Sequence, residues 1–161
     1  MKATVRDPVT AYVALGANLG DAQRTVVQAL ESLAALPSTQ LLRSSRLYRT
    51  APFEAQGPDF INAVAQIETC LTAPALLQAL QALENEAGRE RPYANAPRTL
   101  DLDLLMFGQS SMQSARLNLP HPRWRERAFV LRPLADLAPE LVTQADWARV
   151  SSQAIALVAQ S

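Results

Sequence analysis

One cysteine, one histidine and no excess of either charge narrow this 161-residue chain before any motif is read. With Cys70 alone there is no internal disulfide framework, and a reducing, cytoplasmic setting is expected. Cys70 itself reads as a small buried or edge residue, because the sole histidine is distant in sequence. Fifteen Lys and Arg balance fifteen Asp and Glu, so there is no overall electrostatic case for nucleic acid or an anionic membrane surface. No apolar run approaches the ~20 residues of a membrane span, and the N-terminus lacks the apolar core of a secretory signal. Neither the P-loop nor the Gly-x-Gly-x-x-Gly dinucleotide fingerprint occurs. The turn Gly16-Ala-Asn-Leu-Gly-Asp21 resembles a phosphate cradle, but without those signatures its two glycines read as turn geometry.

What is present is an ordinary globular composition, 48% apolar and 19% charged, without repeats, low-complexity tracts or linkers. One domain over residues 1–161 is expected. Thr10–Leu15 reads as a strand, and Asn18 or Asp21 as the cap of a helix with Val26, Val27, Leu30, Leu33 and Ala34 on one face, ending at Pro37. Thr39–Thr50 reads as one strand, Ala51–Asp59 as a loop and Phe60–Leu71 as an alternating strand with one face partly wet. Thr72 caps a second helix that stops at Gly88. A weak strand or hairpin over Ser111–Leu119, a short helical segment around Phe129–Leu134 and a terminal helix over Trp147–Val158 complete the pattern. The order strand–helix–strand–strand–helix–strand is the split βαβ arrangement of ferredoxin-like folds. The expected class is α+β, an antiparallel sheet with helices packed on one face.

The most informative stretch runs from Arg98 to Gly108. Its alternation is that of a strand, with Leu100, Leu102 and Leu104 on one face and Asp101 and Asp103 on the other, roughly 6.5–7 Å apart by the rise per residue. By simple alternation Leu105 and Phe107 continue the aspartate side. Two carboxylates so close read either as a solvated edge or as ligands of a hard cation such as Mg²⁺. Arg89, Arg91 and Arg98 precede them, and Arg116, His121, Arg123, Arg125 and Arg127 follow. Guanidinium forks beside metal-binding carboxylates suit phosphoryl transfer, in which charge grows in the transition state. His121, between two prolines, reads either as a structural residue or as a phosphate contact. Phe60 and Phe129, taken alone, read as core, whereas Asn62 on the polar face of its strand can pair with a heterocycle's edge. From these residues a nucleotide sensor without turnover and a metal-dependent phosphohydrolase also stay open.

Seven motifs carry a family resemblance: Tyr12-Val-Ala-Leu-Gly-Ala-Asn-Leu-Gly20, Ser44-Ser-Arg-Leu-Tyr-Arg-Thr-Ala-Pro52, Asp59-Phe-Ile-Asn-Ala63, Gly88-Arg89, Pro97-Arg-Thr-Leu-Asp-Leu-Asp-Leu-Leu105, Leu119-Pro-His-Pro122 and Glu126-Arg-Ala-Phe-Val-Leu131. In this order, over residues 10–142, they resemble the 6-hydroxymethyl-7,8-dihydropterin pyrophosphokinases of folate biosynthesis. The resemblance implies an ATP-dependent kinase of the transferase class, moving pyrophosphate from ATP to the hydroxymethyl group of a reduced pterin and releasing AMP. It implies two Mg²⁺ ions on Asp101 and Asp103, with Arg89 and Arg98 on the transferring group. Gln81, Glu84, Arg89, Arg91, Arg98, Leu104, Arg116, His121 and Arg127 would contact ATP. Thr50, Ala51, Pro52, Phe53, Phe60, Asn62 and Phe129 would hold the pterin, stacked between the two phenylalanines. Partners beyond the two substrates are not implied, neither nucleic acid nor membrane, and the state expected is a monomer.

Three departures from the family pattern stand in the sequence. Asn95-Ala96 stands where many members have Trp-Gly, in a loop one residue shorter than one family form, which puts closure over the nucleotide in question. Pro122 stands where some have Tyr, and Phe60 keeps a stacking face while losing a tyrosine hydroxyl.

Overall fold

The computed structural model describes residues 7–51, 57–88, 100–115 and 117–158. Its elements are β1 (Val9–Ala17), α1 (Ala22–Ala34), β2 (Thr39–Ser44), β3 (Tyr48–Thr50), β4 (Phe60–Thr69), α2 (Ala73–Ala87), β5 (Asp101–Phe107), β6 (Met112–Gln113), β7 (Asn118–Leu119), α3 (Ala128–Leu137), α4 (Gln144–Arg149) and β8 (Ala156–Leu157). The main sheet runs β5-β1-β4-β3-β8, with β2 also paired to β4, and every pairing is antiparallel. Taking β2 and β3 as one interrupted strand, this is the ferredoxin-like α+β topology.

The interruption has a local cause. Ser45 donates its backbone N–H to Val64 O (2.8 Å), while its Oγ accepts from Val64 N (2.9 Å). A hydroxyl thus replaces a carbonyl in the ladder, and the expected continuous strand splits in two. The helix caps follow the sequence: Asp21 accepts from Arg24 N and Thr72 from Ala75 N, each satisfying a donor that the first turn leaves unpaired. Gly88 is the C-cap of α2. Gly108 ends β5 at φ +56, where an added β-carbon would also stand 3.0 Å from Val9 Cγ1.

Helices cover both sheet faces, not one. Val26, Ala29 and Leu33 of α1 and Leu76 and Leu80 of α2 pack on Val13, Leu15, Ile67, Leu102 and Leu104. On the opposite face, Leu131 and Leu134 of α3 pack on Ala14, Val64 and Leu105 with Trp124. The face of β4 expected to be partly wet is therefore covered, and Val64 is fully buried. Large side chains buried in this way each contribute on the order of 1.5–3 kcal/mol, so Leu131 and Leu134 anchor α3 to the sheet.

Two further expectations change. β1 pairs Tyr12 with Met106 but Val13 with Leu104, so Leu105 is an extra residue in β5. The bulge breaks the alternation. Leu105 stays on the aspartate side, Met106 joins it, and Phe107 turns to the leucine side. The terminal helix expected over Trp147–Val158 is instead the six-residue α4, closed at its start by a capping box between Thr143 and Asp146, then a turn and β8. β8 pairs with β3, so the chain beyond residue 142 borders the strand that carries Thr50.

Candidate active site

Antiparallel register fixes what stands beside what on the α3 face. One row across the sheet reads Asp101, Gly16, Asn62, Tyr48, and the next reads Asp103, Ala14, Val64. Residues directly opposite one another point to the same side. Both aspartates and Asn62 therefore share a face, with β1 between them and the outer two strands about 10 Å apart by the usual strand spacing. Asp101 is exposed and Asp103 half-buried. Asn62 is 4% exposed, and its Nδ2 donates to Thr50 Oγ1 at 2.8 Å. Gly16, read from sequence as turn geometry, lies inside β1 and leaves a flat floor between them. A β-carbon there would meet Asn62 Oδ1 at 3.2 Å.

β5 is an edge strand, and α2 supplies its outer partner. Glu84 Oε2 accepts the N–H of Leu102, the residue between the aspartates, at 2.8 Å. Since backbone groups alternate in direction along an antiparallel strand, the Leu102 N–H points away from β1, while those of Asp101 and Asp103 point into the β1 ladder. Both edges of the aspartate strand are thus held. Gln81 lies one turn before Glu84 on the same side of α2, exposed. It lines a cleft of about 600 Å³ between α2 and the β6–β7 hairpin, together with Leu77, Gln78, Met112 and Leu117. Leu104 is buried in the core beneath α1 and α2.

His121 is tied to the same strand by a bond from its backbone N to Leu105 O (2.9 Å). Its Nδ1 accepts from Arg123 N (3.2 Å), which leaves Nε2 to carry the proton in the neutral ring. Burial is the main cause that holds His121 below its ordinary pKa. Arg127 and Arg123 act in the same direction, while the Asp103 carboxylate opposes them. Asp103, His121 and Arg127 are therefore electrostatic neighbours. Arg127 is the extended residue that precedes α3, and its guanidinium lies over the Phe129 ring at 5.4 Å from the centroid. Phe129 stands on the first turn of α3, over the face that Asn62 shares. Phe60, partly buried, is two residues before Asn62 and opposite Thr50.

The structure thus gathers Asp101, Asp103, Asn62, Thr50, Phe60, Phe129, Arg127 and His121 at one end of one face, and sets Gln81 and Glu84 along the β5 edge. Ala51 is exposed beside Thr50. Pro52, Phe53, Arg89, Arg91, Arg98 and Arg116 lie outside the described residues. Among the described residues no group of three or more His, Cys, Asp and Glu could hold a metal ion by itself, and no helix is long and apolar enough to cross a membrane.

Residues 12–139 match the family model described as 7,8-dihydro-6-hydroxymethylpterin-pyrophosphokinase (HPPK). The chain belongs to this family. It is a pyrophosphokinase of folate biosynthesis, an ATP-using enzyme. The 2-amino-4-hydroxy-6-hydroxymethyldihydropteridine pyrophosphokinase of Pseudomonas aeruginosa is 48% identical over 131 residues, covering 81% of this chain and 81% of that protein. The Haemophilus influenzae protein of the same name is 43% identical over 135 residues, covering 83% and 84%. A Plasmodium falciparum HPPK-DHPS triple mutant has the same fold, with a TM-score of 0.68 at 12% identity over 86% of this chain. The HPPK chain spans 41% of that longer protein. The family match runs from within β1 to just beyond α3 and stops before α4 and β8.

Proposed function

We propose that this HPPK transfers the terminal diphosphate of ATP to the hydroxymethyl group of 6-hydroxymethyl-7,8-dihydropterin, with Mg²⁺, releasing AMP. It acts as a cytoplasmic monomer whose 161 residues form one domain. The observation that carries the reading is that two carboxylates and a buried carboxamide share one sheet face, with a side-chain-free strand position between them. The carboxamide end takes the pterin, whose edge pairs with Asn62 and with the backbone of Thr50, Ala51, Pro52 and Phe53. Phe60 and Phe129 take its two faces. The base of ATP enters the cleft beside Gln81, and its phosphates pass Glu84 and the backbone of Leu104, whose side chain is buried, along the β5 edge towards the aspartates.

Two carboxylates, with no third His, Cys, Asp or Glu grouped with them among the described residues, suit Mg²⁺, which keeps water and phosphate oxygens in its shell rather than occupying an all-protein cage. Bound with ATP, Mg²⁺ supplies charge neutralisation and orientation of the polyphosphate. The chain's own residues do the remainder. Asp101 and Asp103 present their oxygens from a strand pinned on both edges. Arg89 and Arg98 stabilise charge on the diphosphate as it leaves AMP, with Arg91, Arg116, His121 and Arg127 holding the nucleotide. The pterin oxygen forms its bond to the β-phosphorus as the bond from that phosphorus to the α,β-bridging oxygen breaks. AMP departs and the hydroxyl proton passes to solvent. In-line positioning supplies most of the rate, because little covalent chemistry is asked of the protein.

The test is AMP formation from ATP with and without the pterin alcohol, with and without Mg²⁺. AMP only when both are present is the expected result. AMP without the pterin indicates a phosphohydrolase, and nucleotide binding without AMP in any arm indicates a sensor.

A further inference from the structure

The turn that carries Arg127 and Phe129 is braced from a part of the chain that the family match does not reach. Gln153, in the turn after α4, spans Arg127 with its side-chain amide. Its Oε1 accepts from Ala128 N and its Nε2 donates to Glu126 O, both at 2.8 Å. The orientation of the amide is fixed, because the Ala128 N–H requires an acceptor and the Glu126 carbonyl a donor. Ala128 N–H is one of the donors that the first turn of α3 leaves unpaired, and α3 has no side-chain cap of its own from Arg127. Gln153 is anchored in turn by its backbone N–H to Val150 O (2.9 Å). Two further ties join the same segments. Arg125 pairs with Asp146 at 2.6 Å, and Arg149 donates to Arg125 O at 3.3 Å.

We propose that Gln153 is a positioning residue that fixes both substrate subsites at once, by holding the Glu126–Ala128 backbone from which Arg127 and Phe129 project. This rests on the reading of Arg127 as a nucleotide contact and Phe129 as a pterin wall. The logic is geometric. Arg127 stands between the two backbone groups that Gln153 binds, and its guanidinium lies over the Phe129 ring, so a shift of the turn moves both. The cap is provided from residue 153, far outside the motif-bearing core, by an exposed side chain that packing does not require.

The experiment is steady-state kinetics of pyrophosphoryl transfer on the full chain for Gln153→Ala, Gln153→Glu, Arg127→Ala, Phe129→Ala and the remote core variant Leu33→Ala, each with a thermal melt. Gln153→Ala is expected to raise KM for ATP and for the pterin together, each about 3- to 10-fold, the effect of one or two modest hydrogen bonds, with kcat within about twofold. Arg127→Ala raises chiefly the ATP KM and Phe129→Ala chiefly the pterin KM. Gln153→Glu keeps the oxygen that meets Ala128 N–H, so it falls between wild type and Gln153→Ala, and it supplies the comparison if Gln153→Ala does not fold. Wild-type KM values in the Gln153 variants, with Arg127→Ala and Phe129→Ala both shifted, overturn the proposal and leave the site reading standing. Unchanged KM values in Arg127→Ala and Phe129→Ala remove the site reading and the proposal with it. A KM shift in Leu33→Ala as large as in Gln153→Ala overturns the proposal as well, since loss of stability alone then accounts for it.

Discussion

Gly16 and Asn62 face each other across β1 and β4 so closely that a β-carbon on the glycine would lie 3.2 Å from the carboxamide oxygen. That contact is tighter than a relaxed neighbour tolerates, and Asn62 is already tied to Thr50 through its nitrogen. The carboxamide must therefore shift or lose its bond if any side chain is added. Gly16→Ala is expected to lower kcat/KM for the pterin about tenfold, equivalent to 1.4 kcal/mol of overpacking, while the ATP KM stays near wild type. An ATP KM that rises as much as the pterin KM would show that the glycine serves the nucleotide side instead.

The aspartate pair leads to a sharper expectation. Asp103 is half-buried and opposite Ala14, so its removal opens no cavity in the core. Asp103→Ala should reduce kcat by about 10²- to 10³-fold or more, the scale of losing one electrostatic stabiliser at a reacting phosphate, with a melting temperature at or above wild type because a like-charge neighbour is gone. Turnover within tenfold of wild type would remove Asp103 from the metal role. Chelation of Mg²⁺ from the wild-type enzyme should abolish turnover in the same assay.

Glu84 separates two roles by chemistry. As the acceptor for the Leu102 N–H it needs an oxygen, whereas as a nucleotide contact it needs its charge. Glu84→Gln keeps an oxygen in place, and Glu84→Ala leaves an edge N–H without this acceptor, at a cost of about 1–3 kcal/mol where water cannot replace it. The expected order of activity is wild type, then Gln within a few-fold, then Ala at least tenfold lower. Equal losses in Gln and Ala, confined to the ATP KM, would assign the residue to the nucleotide and not to the strand.

These residues also mark the boundary of what sequence reveals. The alternation Leu100-Asp-Leu-Asp-Leu104 gave the aspartates a common face, and Asp21, Thr72 and Gly88 marked helix ends, because each signal is local: period, cap or stop. Simple alternation puts Phe107 on the wrong side, since a bulge at Leu105 is a property of the pairing with β1, not of the run itself. The broad apolar stripe of Phe129–Leu134 predicted a helix but not which face of the sheet it would cover. Ser45 splits the strand through a bond to Val64, nineteen residues away, and Gly16 matters only because Asn62 is its neighbour. A terminal helix is expected over Trp147–Val158, yet a capping box that starts a helix does not prolong it. Local chemistry was legible; partners chosen by tertiary pairing were not.

A last expectation concerns acid. Asp136 of α3 accepts from Tyr48 OH at 2.8 and 2.9 Å and pairs with Arg46 at 2.8 Å, joining α3 to the strand that carries Thr50. Burial opposes its ionisation, but hydrogen bonds from Arg46 and Tyr48 outweigh it and hold the carboxyl below its ordinary value. A depressed folded pKa means that the unfolded chain takes up the proton first as pH falls. The stabilisation from Asp136 is therefore complete above about pH 5, starts to fade near the unfolded carboxylate value of about 3.9 and is lost as pH drops through the folded value. Asp136→Asn keeps an oxygen for Tyr48 but removes the titrating charge. Its unfolding free energy should lie below wild type at pH 7 and converge with it on acidification, in denaturant melts taken from pH 7 to pH 2.5. A constant difference across that range would show that the Asp136 charge contributes nothing to holding α3 against β3.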